Sequence, residues 1–460
     1  MNLEVFKNII GPGNVLLDPA DLSFWGKDAC VEYVAKPAAI LRPGSEEEVQ
    51  KIVLECRNQK IPLVPSGGRT GHSGGATAQN GEVVISLSRL NKIYKIDPID
   101  LLAHVQAGVV TQDLQQAALA QGLFYPVQFA SQGSALIGGN LATNAGGLRV
   151  IRYGSTRDWV LGMRVVTGAG EVMELNGPLY KNQTGYDLRN LFVGSEGTLG
   201  IITEAWMKLT TKPGEMLTLL AGCATTSQVL TALGRVRSAG FALQLFEYFD
   251  EQCLQLVLKH AKLKAPFAKF FPRYMLIQVE IPNPAEAERV ESVLASLIED
   301  GVLDDAVVAQ NKTQAEELVA YRERISESIR KEGYPHKNDI ATPVAAFGDF
   351  ITELEVLLRG PLSWVKCLMF GHLGDGNTHL NFLKPETMSV DEFKKKGHEI
   401  DQYTFGLVQK YKGSISAEHG IGLLKQPYLD QFKTKTELTY LRSIKKLFDP
   451  DLIMNPGKML

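Results

Sequence analysis

The 460-residue sequence predicts a mixed helix-and-sheet protein of two or three lobes. Three observations predict it. The length exceeds what one small core organises, and 45% hydrophobic with 22% charged residues is the balance of an ordinary globular chain. Amphipathic helical stretches are interleaved with short apolar strand-like runs. Glycine clusters recur between Pro65 and Ile202 and then cease, which places a lobe boundary at Thr210–Gly214 (Thr-Thr-Lys-Pro-Gly).

Taken in order, Ser45 to Lys60 reads as an amphipathic helix. Ser45 with Glu48 makes a capping box, and Val49, Ile52, Val53 and Cys56 form the apolar side. Ile61 to Val64 is a short buried strand, followed by Pro65-Ser-Gly-Gly-Arg-Thr-Gly-His-Ser-Gly-Gly75. So little side-chain bulk lets backbone N–H groups approach a phosphate, although such a loop also fits an ordinary turn. Strands are expected at Val83–Leu87 and His104–Ala107, and a helix over Thr111–Gln121 stopped by Gly122. Ile137 to Gly147 is a second small-residue segment, carrying Asn140, Thr143 and Asn144, and Arg152-Tyr-Gly-Ser155 and Gly194 to Ile202 follow. Segments spaced in this way suit an extended ligand with a pyrophosphate. Neither GxGxxG after a first strand nor GxxxxGK[ST] is present, so a Rossmann site and a P-loop are unsupported.

Past the boundary, a strand near Phe241–Phe246, a helix from Glu251, a strand at Tyr274–Ile281 and a helix over Pro284–Glu299 suggest a sheet backed by helices. Glu316–Arg330 reads as one helix with Leu318, Tyr321, Ile325 and Ile329 packed, and with Arg322 and Ser326 projecting together one turn apart. The helix ends near Gly333, and Lys337 lies in an extended run after it. Gly374-Asp-Gly-Asn377 is a turn between the apolar run Val365–Phe370 and a strand Thr378–Leu383. Such a hairpin brings His372 near His379, with His379 and Asn381 on one strand face. Together with Glu418 these form a His/His/Glu set suited to zinc or a similar divalent metal with a coordination position left open. His419, beside the third ligand, is a ready general base. Spacing alone fits two loop histidines and a solvated acid equally well.

Other classes are disfavoured. A net charge of −3 gives no electrostatic reason to expect nucleic acid or anionic membrane as a partner. No apolar run approaches the length of a transmembrane segment, and the N-terminus lacks the layout of a secretory signal. The five cysteines are scattered and form neither a disulfide framework nor an iron–sulfur ligand run. A cytoplasmic location is the expectation.

Several of these motifs, in this order, carry a family resemblance. They are Pro65–Gly71, Gly138–Gly147, Tyr186-Asp-Leu188, Gly194–Gly200, Gly371–Asn377, Glu418-His-Gly420 and Asn455-Pro-Gly-Lys458. On them the chain resembles the FAD-linked oxidases of the vanillyl-alcohol-oxidase type, and more narrowly the D-2-hydroxyglutarate dehydrogenases. The resemblance implies an α+β fold in three parts. Residues 1–212 would form a two-subdomain FAD-binding domain, divided near residue 100. Residues 213–420 would form a ferredoxin-like substrate and metal-binding cap, and residues 421–460 a C-terminal segment returning to the FAD domain.

It also implies that FAD is held non-covalently by Pro65, Ser66, Gly67, Gly68, Arg69, Thr70, Gly71, His72, Ser73, Gly133, Ser134, Gly138, Gly139, Asn140, Thr143, Asn144, Gly146, Gly147, Tyr153, Gly154, Glu196, Gly200, Ile201, Ile202 and Asn455. Arg322, Ser326, Lys337, Asn381 and His419 would bind substrate; an Arg fork and a Lys point charge suit a dicarboxylate. The pattern is broken at His72, where Leu or Met is usual, at Gln128, where Asp is common, and at Ser326, where Thr is usual.

The reaction implied is oxidation of a D-2-hydroxy acid, foremost D-2-hydroxyglutarate, to the 2-oxo acid. His419 would take the hydroxyl proton while hydride passes to flavin N5. An external acceptor (a quinone, an electron-transfer flavoprotein or another carrier) would reoxidise the flavin, and a homodimer is left open. The rival readings are a D-lactate, D-malate or glycolate dehydrogenase, a flavin-carrying subunit of a larger oxidoreductase, and a metal hydrolase that leaves the glycine-rich half unexplained.

Overall fold

Ser45 starts the helix Glu46–Gln59 by accepting from the Glu48 N–H at 3.2 Å, and Val49, Ile52, Val53 and Cys56 are buried along one side. Glu48 does not return the bond to Ser45. Its carboxylate accepts from the Gly44 N–H at 2.6 Å, so half of the expected capping box is displaced by one residue. The computed structural model describes residues 1–460. Two compact units make up the chain: Met1–Gly147 with Tyr153–Lys212 and Glu418–Leu460, and Leu148–Arg152 with Pro213–Ala417.

The first unit holds two main sheets. One has four strands in the order Val15–Leu16, Ala39–Leu41, Val83–Ser86, Leu63–Ser66, the last three mutually parallel. Val83–Ser86 is wholly buried, as a central parallel strand covered on both faces should be. The other has five antiparallel strands in the order Ile93–Asp97, Leu102–Gln106, Gly200–Lys208, Val160–Thr167, Val172–Leu175. Ile52, Leu63, Val83, Ala103, Val165 and Met207 belong to one apolar cluster, so both sheets share a core. Near the C-terminus, Leu63 donates to Ile453 O at 2.8 Å and accepts from Asn455 N at 2.7 Å. That pairing seats Asn455 beside the strand that leads into the first glycine loop.

The second unit is built on seven antiparallel strands, in the order Asp305–Val308, Glu215–Cys223, Arg273–Ile281, Leu243–Asp250, Lys366–Gly371, Asn377–Leu383, Pro335–Ala341. The helix Pro284–Glu299 forms as its sequence predicts, with Asn283 accepting from the Glu286 N–H and Pro284 in the first turn. The single helix expected over 316–330 is instead two, Lys312–Glu323 and Ile325–Glu332, divided at Arg324. No Gly or Pro marks that break, and the packed residues Leu318, Tyr321, Ile325 and Ile329 keep a helical spacing through it. No helix is long and apolar enough to cross a membrane.

Candidate active site

Strand register determines which side chains of the second unit meet. Asp339 lies opposite His379, and Lys337 opposite Asn381. Phe370 also pairs with His379, and Phe249 with Phe370. Side chains alternate along a strand, so Lys337, Asp339, His379, Asn381, Phe370 and Phe249 share one sheet face. Glu247 and His372, each two residues from a member of that row, lie on the same face. The hairpin Lys366–Gly371 to Asn377–Leu383 is held at its turn by Arg237, which donates to Gly374 O. It brings the His372 and His379 rings to 5.4 Å between centroids.

Each imidazole is backed by a buried carboxylate. His372 Nδ1 lies 2.7 and 2.8 Å from the two oxygens of Glu247, and His379 Nδ1 lies 3.4 Å from Asp339 Oδ1. Asp339 is in turn fixed by the Asn377 amide at 2.8 Å. Burial lowers the pKa of His379, which favours the neutral ring that a metal needs. In the hairpin turn, burial pushes the Asp375 carboxyl up to about 6.

Glu418 and His419 follow directly on Ala417, whose N–H donates to Asp339 O at 3.3 Å. Within the second unit, His372 and His379 form a pair of imidazoles, each ring oriented by an acid behind it, and such a pair suits a divalent cation.

Arg322 is buried, and its guanidinium carbon lies 4.6 Å from the centre of the Phe370 ring. Its Nε is 2.7 Å from Glu247 Oε2, an ion-pair distance reached off the N–H axis. Ser326 does not accompany it. It lies beyond the break at Arg324 and is exposed where Arg322 is buried, so the two do not share a packed face. Glu247 and Asp339 were not singled out from sequence. The available signals were an acid inside the apolar run Phe241–Phe249, and the two-residue spacing of Asp339 from Lys337.

In the first unit the glycine segments converge. A Cβ on Gly67 would lie 3.4 Å from the Gly139 Cα, and one on Gly68 only 2.2 Å from Ser134 O. Ser66 Oγ and Asn455 Oδ1 are buried without a hydrogen-bond partner, in keeping with a cradle awaiting a polar ligand. Two glycine segments in close backbone approach, with orphaned buried oxygens beside them, fit a pyrophosphate-bearing cofactor.

Not every expected FAD contact has its side chain to spare. Asn140 donates to Thr111 Oγ1 at 2.7 Å, and the Thr143 hydroxyl donates to Gly139 O. Asn144 Oδ1 accepts from Ser155 and Arg157. Arg69 packs 3.9 and 4.4 Å over the Phe24 and Trp25 rings. The buried Glu196 carboxylate accepts from the N–H groups of Ile421 and Gly422 at 2.6 and 2.8 Å. Ile201 and Ile202 are buried in the strand that begins at Gly200, Tyr153 O accepts from the Trp159 indole, and Gly154 and Gly147 take positive φ. Gly133 and Ser134 are exposed, and Gly146 is half-buried. Ser73 Oγ donates to His419 O at 2.9 Å, and the His72 ring lies 5.2 Å from the His419 ring.

Comparison with known proteins gives these two units a family. Residues 37–176 match the FAD binding domain model, and residues 212–459 match FAD linked oxidases, C-terminal domain. The chain is 44% identical over 457 residues to a D-2-hydroxyglutarate dehydrogenase of Stutzerimonas stutzeri (strain A1501), covering 99% of this chain and 98% of the relative. It is 42% identical over 442 residues to a D-2-hydroxyglutarate dehydrogenase of Xanthomonas citri pv. viticola, covering 96% and 93%. The fold is similar to that of 4-ethylphenol oxidase from Gulosibacter chungangensis in its isoeugenol complex, at TM-score 0.78 and 19% identity over 99% of this chain and 96% of that one. The chain therefore belongs to the FAD-linked oxidases, in the family of the D-2-hydroxyglutarate dehydrogenases.

Proposed function

We propose that this protein oxidises D-2-hydroxyglutarate to 2-oxoglutarate with FAD and a divalent cation, zinc being the metal that the ligand set suits best. The observation that carries the reading is the shared sheet face. It sets Lys337 and Asn381 across from each other, one step along from the Asp339–His379 pair. A 2-hydroxy acid with a second carboxylate needs this combination of a ligand set, an amide and a cation on one surface.

A cation held by His372, His379 and Glu418 would acidify a coordinated hydroxyl, and FAD would accept the hydride. The chain's own residues do the rest. His419 takes the hydroxyl proton. Asn381 donates to the C1 carboxylate. Arg322 and Lys337 bind the distal carboxylate and orient C2. The bond from Ser73 Oγ to His419 O ties the base to the first glycine loop and supports its placement at the flavin side. Bound FAD would supply the redox chemistry, and an external carrier, a quinone or an electron-transfer flavoprotein, would be the final electron acceptor. All five cysteines are buried and outside any disulfide, which supports placing the enzyme in a reducing cytoplasm.

A panel of D-2-hydroxyglutarate, D-malate, D-lactate and glycolate with an artificial dye acceptor tests the substrate. The largest kcat/KM is expected for D-2-hydroxyglutarate. Equal or faster turnover of D-lactate would show that the cationic pair does not select a dicarboxylate.

A further inference from the structure

Glu247 lies in the middle of the interior strand Leu243–Asp250 and is 1% exposed. By alternation it sits between Leu245 and Phe249, both members of the apolar cluster on that face. A carboxylate buried in such surroundings is costly unless it is paired. Glu247 is paired twice. Both of its oxygens face His372 Nδ1, at 2.7 and 2.8 Å, and Oε2 lies 2.7 Å from Arg322 Nε.

We propose that Glu247 is a positioning residue shared by the metal-ligating and the substrate-recognising halves of the site, so that one carboxylate couples metal affinity to dicarboxylate affinity. The inference rests on the metal and dicarboxylate reading given above. With Nδ1 of His372 committed to Glu247, Nε2 is the nitrogen left for a metal, and the adjacent anion makes it a stronger ligand. With Nε of Arg322 turned to the same carboxylate, recognition of the substrate's distal carboxylate falls to the two Nη groups.

Glu247→Gln preserves shape but removes the charge and replaces one of the two acceptor oxygens by an NH2 that cannot accept. Zinc affinity of the FAD-loaded protein, measured without substrate by competition with a chromogenic chelator, should fall by about 10–100-fold. The KM for D-2-hydroxyglutarate should rise by more than the KM for D-lactate, which has no second carboxylate for Arg322. Glu247→Asp keeps the charge but shortens the reach, and should fall between wild type and Gln on both readouts. It also serves as the deciding variant should the Gln protein not fold.

Variants that melt earlier yet keep wild-type zinc affinity and the wild-type KM ratio would reduce Glu247 to a structural residue and overturn the proposal. A wild-type protein that takes up no zinc would instead remove the metal reading itself, and the proposal with it.

Discussion

Gly139→Ala should change the protein in two opposite directions. Gly139 lies inside the helix Ile137–Thr143, and a Cβ built there meets nothing nearer than the Gly67 Cα at 4.0 Å. The apoprotein has room for the methyl, and replacing a helical glycine by alanine should stabilise it by about 0.5–1 kcal/mol. The same methyl would enter the gap between the two glycine segments, which the proposed cradle assigns to the FAD phosphates. Overfilling a fitted gap costs ~1–3 kcal/mol, which corresponds to a loss of FAD affinity of roughly 5–150-fold.

Gly68→Ala is the contrasting case. Its Cβ would stand 2.2 Å from Ser134 O and 2.7 Å from the Ala135 Cα, so backbone must shift even without cofactor. That variant should lose both apoprotein stability and FAD. The assay is thermal melting of flavin-stripped protein, paired with FAD titration by flavin fluorescence. Gly139→Ala protein with wild-type FAD affinity would refute the assignment of this gap to the cofactor.

Three further outcomes are expected. His419→Ala should abolish dye reduction while bound FAD and zinc remain at wild-type stoichiometry, measured by absorbance and elemental analysis. Lys337→Met should lower kcat/KM for D-2-hydroxyglutarate by roughly 10–150-fold, the worth of about 1.5–3 kcal/mol for a charged hydrogen bond, while D-lactate kinetics change little. Glu196→Ala strips the acceptor from the Ile421 and Gly422 N–H groups and should cost about 1–3 kcal/mol for each buried donor left unpaired, read as a lower denaturation midpoint.

Local signals were strong where one residue settles the outcome. Ser45, Asn283 with Pro284, and the Gly374–Asn377 turn each carry their own chemistry, and the corresponding helix starts and hairpin follow from it. The approach of His372 to His379 was legible because the two histidines straddle one hairpin. Glu247 was not, because its role depends on pairing with Arg322 and His372, 75 and 125 residues away in the chain. The division at Arg324 was hidden for a related reason. An unbroken apolar period ran through it, and the difference between a buried Arg322 and an exposed Ser326 is made by tertiary packing. The side chains of Asn140, Asn144 and Glu196 looked available for a ligand, but they bond Thr111, Arg157 and Ile421, which lie 29, 13 and 225 residues away in the chain.

The metal's part in the chemistry is tested most directly by flavin bleaching in a single turnover. FAD-loaded protein treated with a chelator and dialysed is mixed anaerobically with D-2-hydroxyglutarate, before and after zinc is restored. The stripped protein should retain its flavin yet leave it oxidised, and zinc should restore rapid bleaching. Flavin reduced at an undiminished rate in protein shown by elemental analysis to hold no metal would contradict the role assigned to His372, His379 and Glu418.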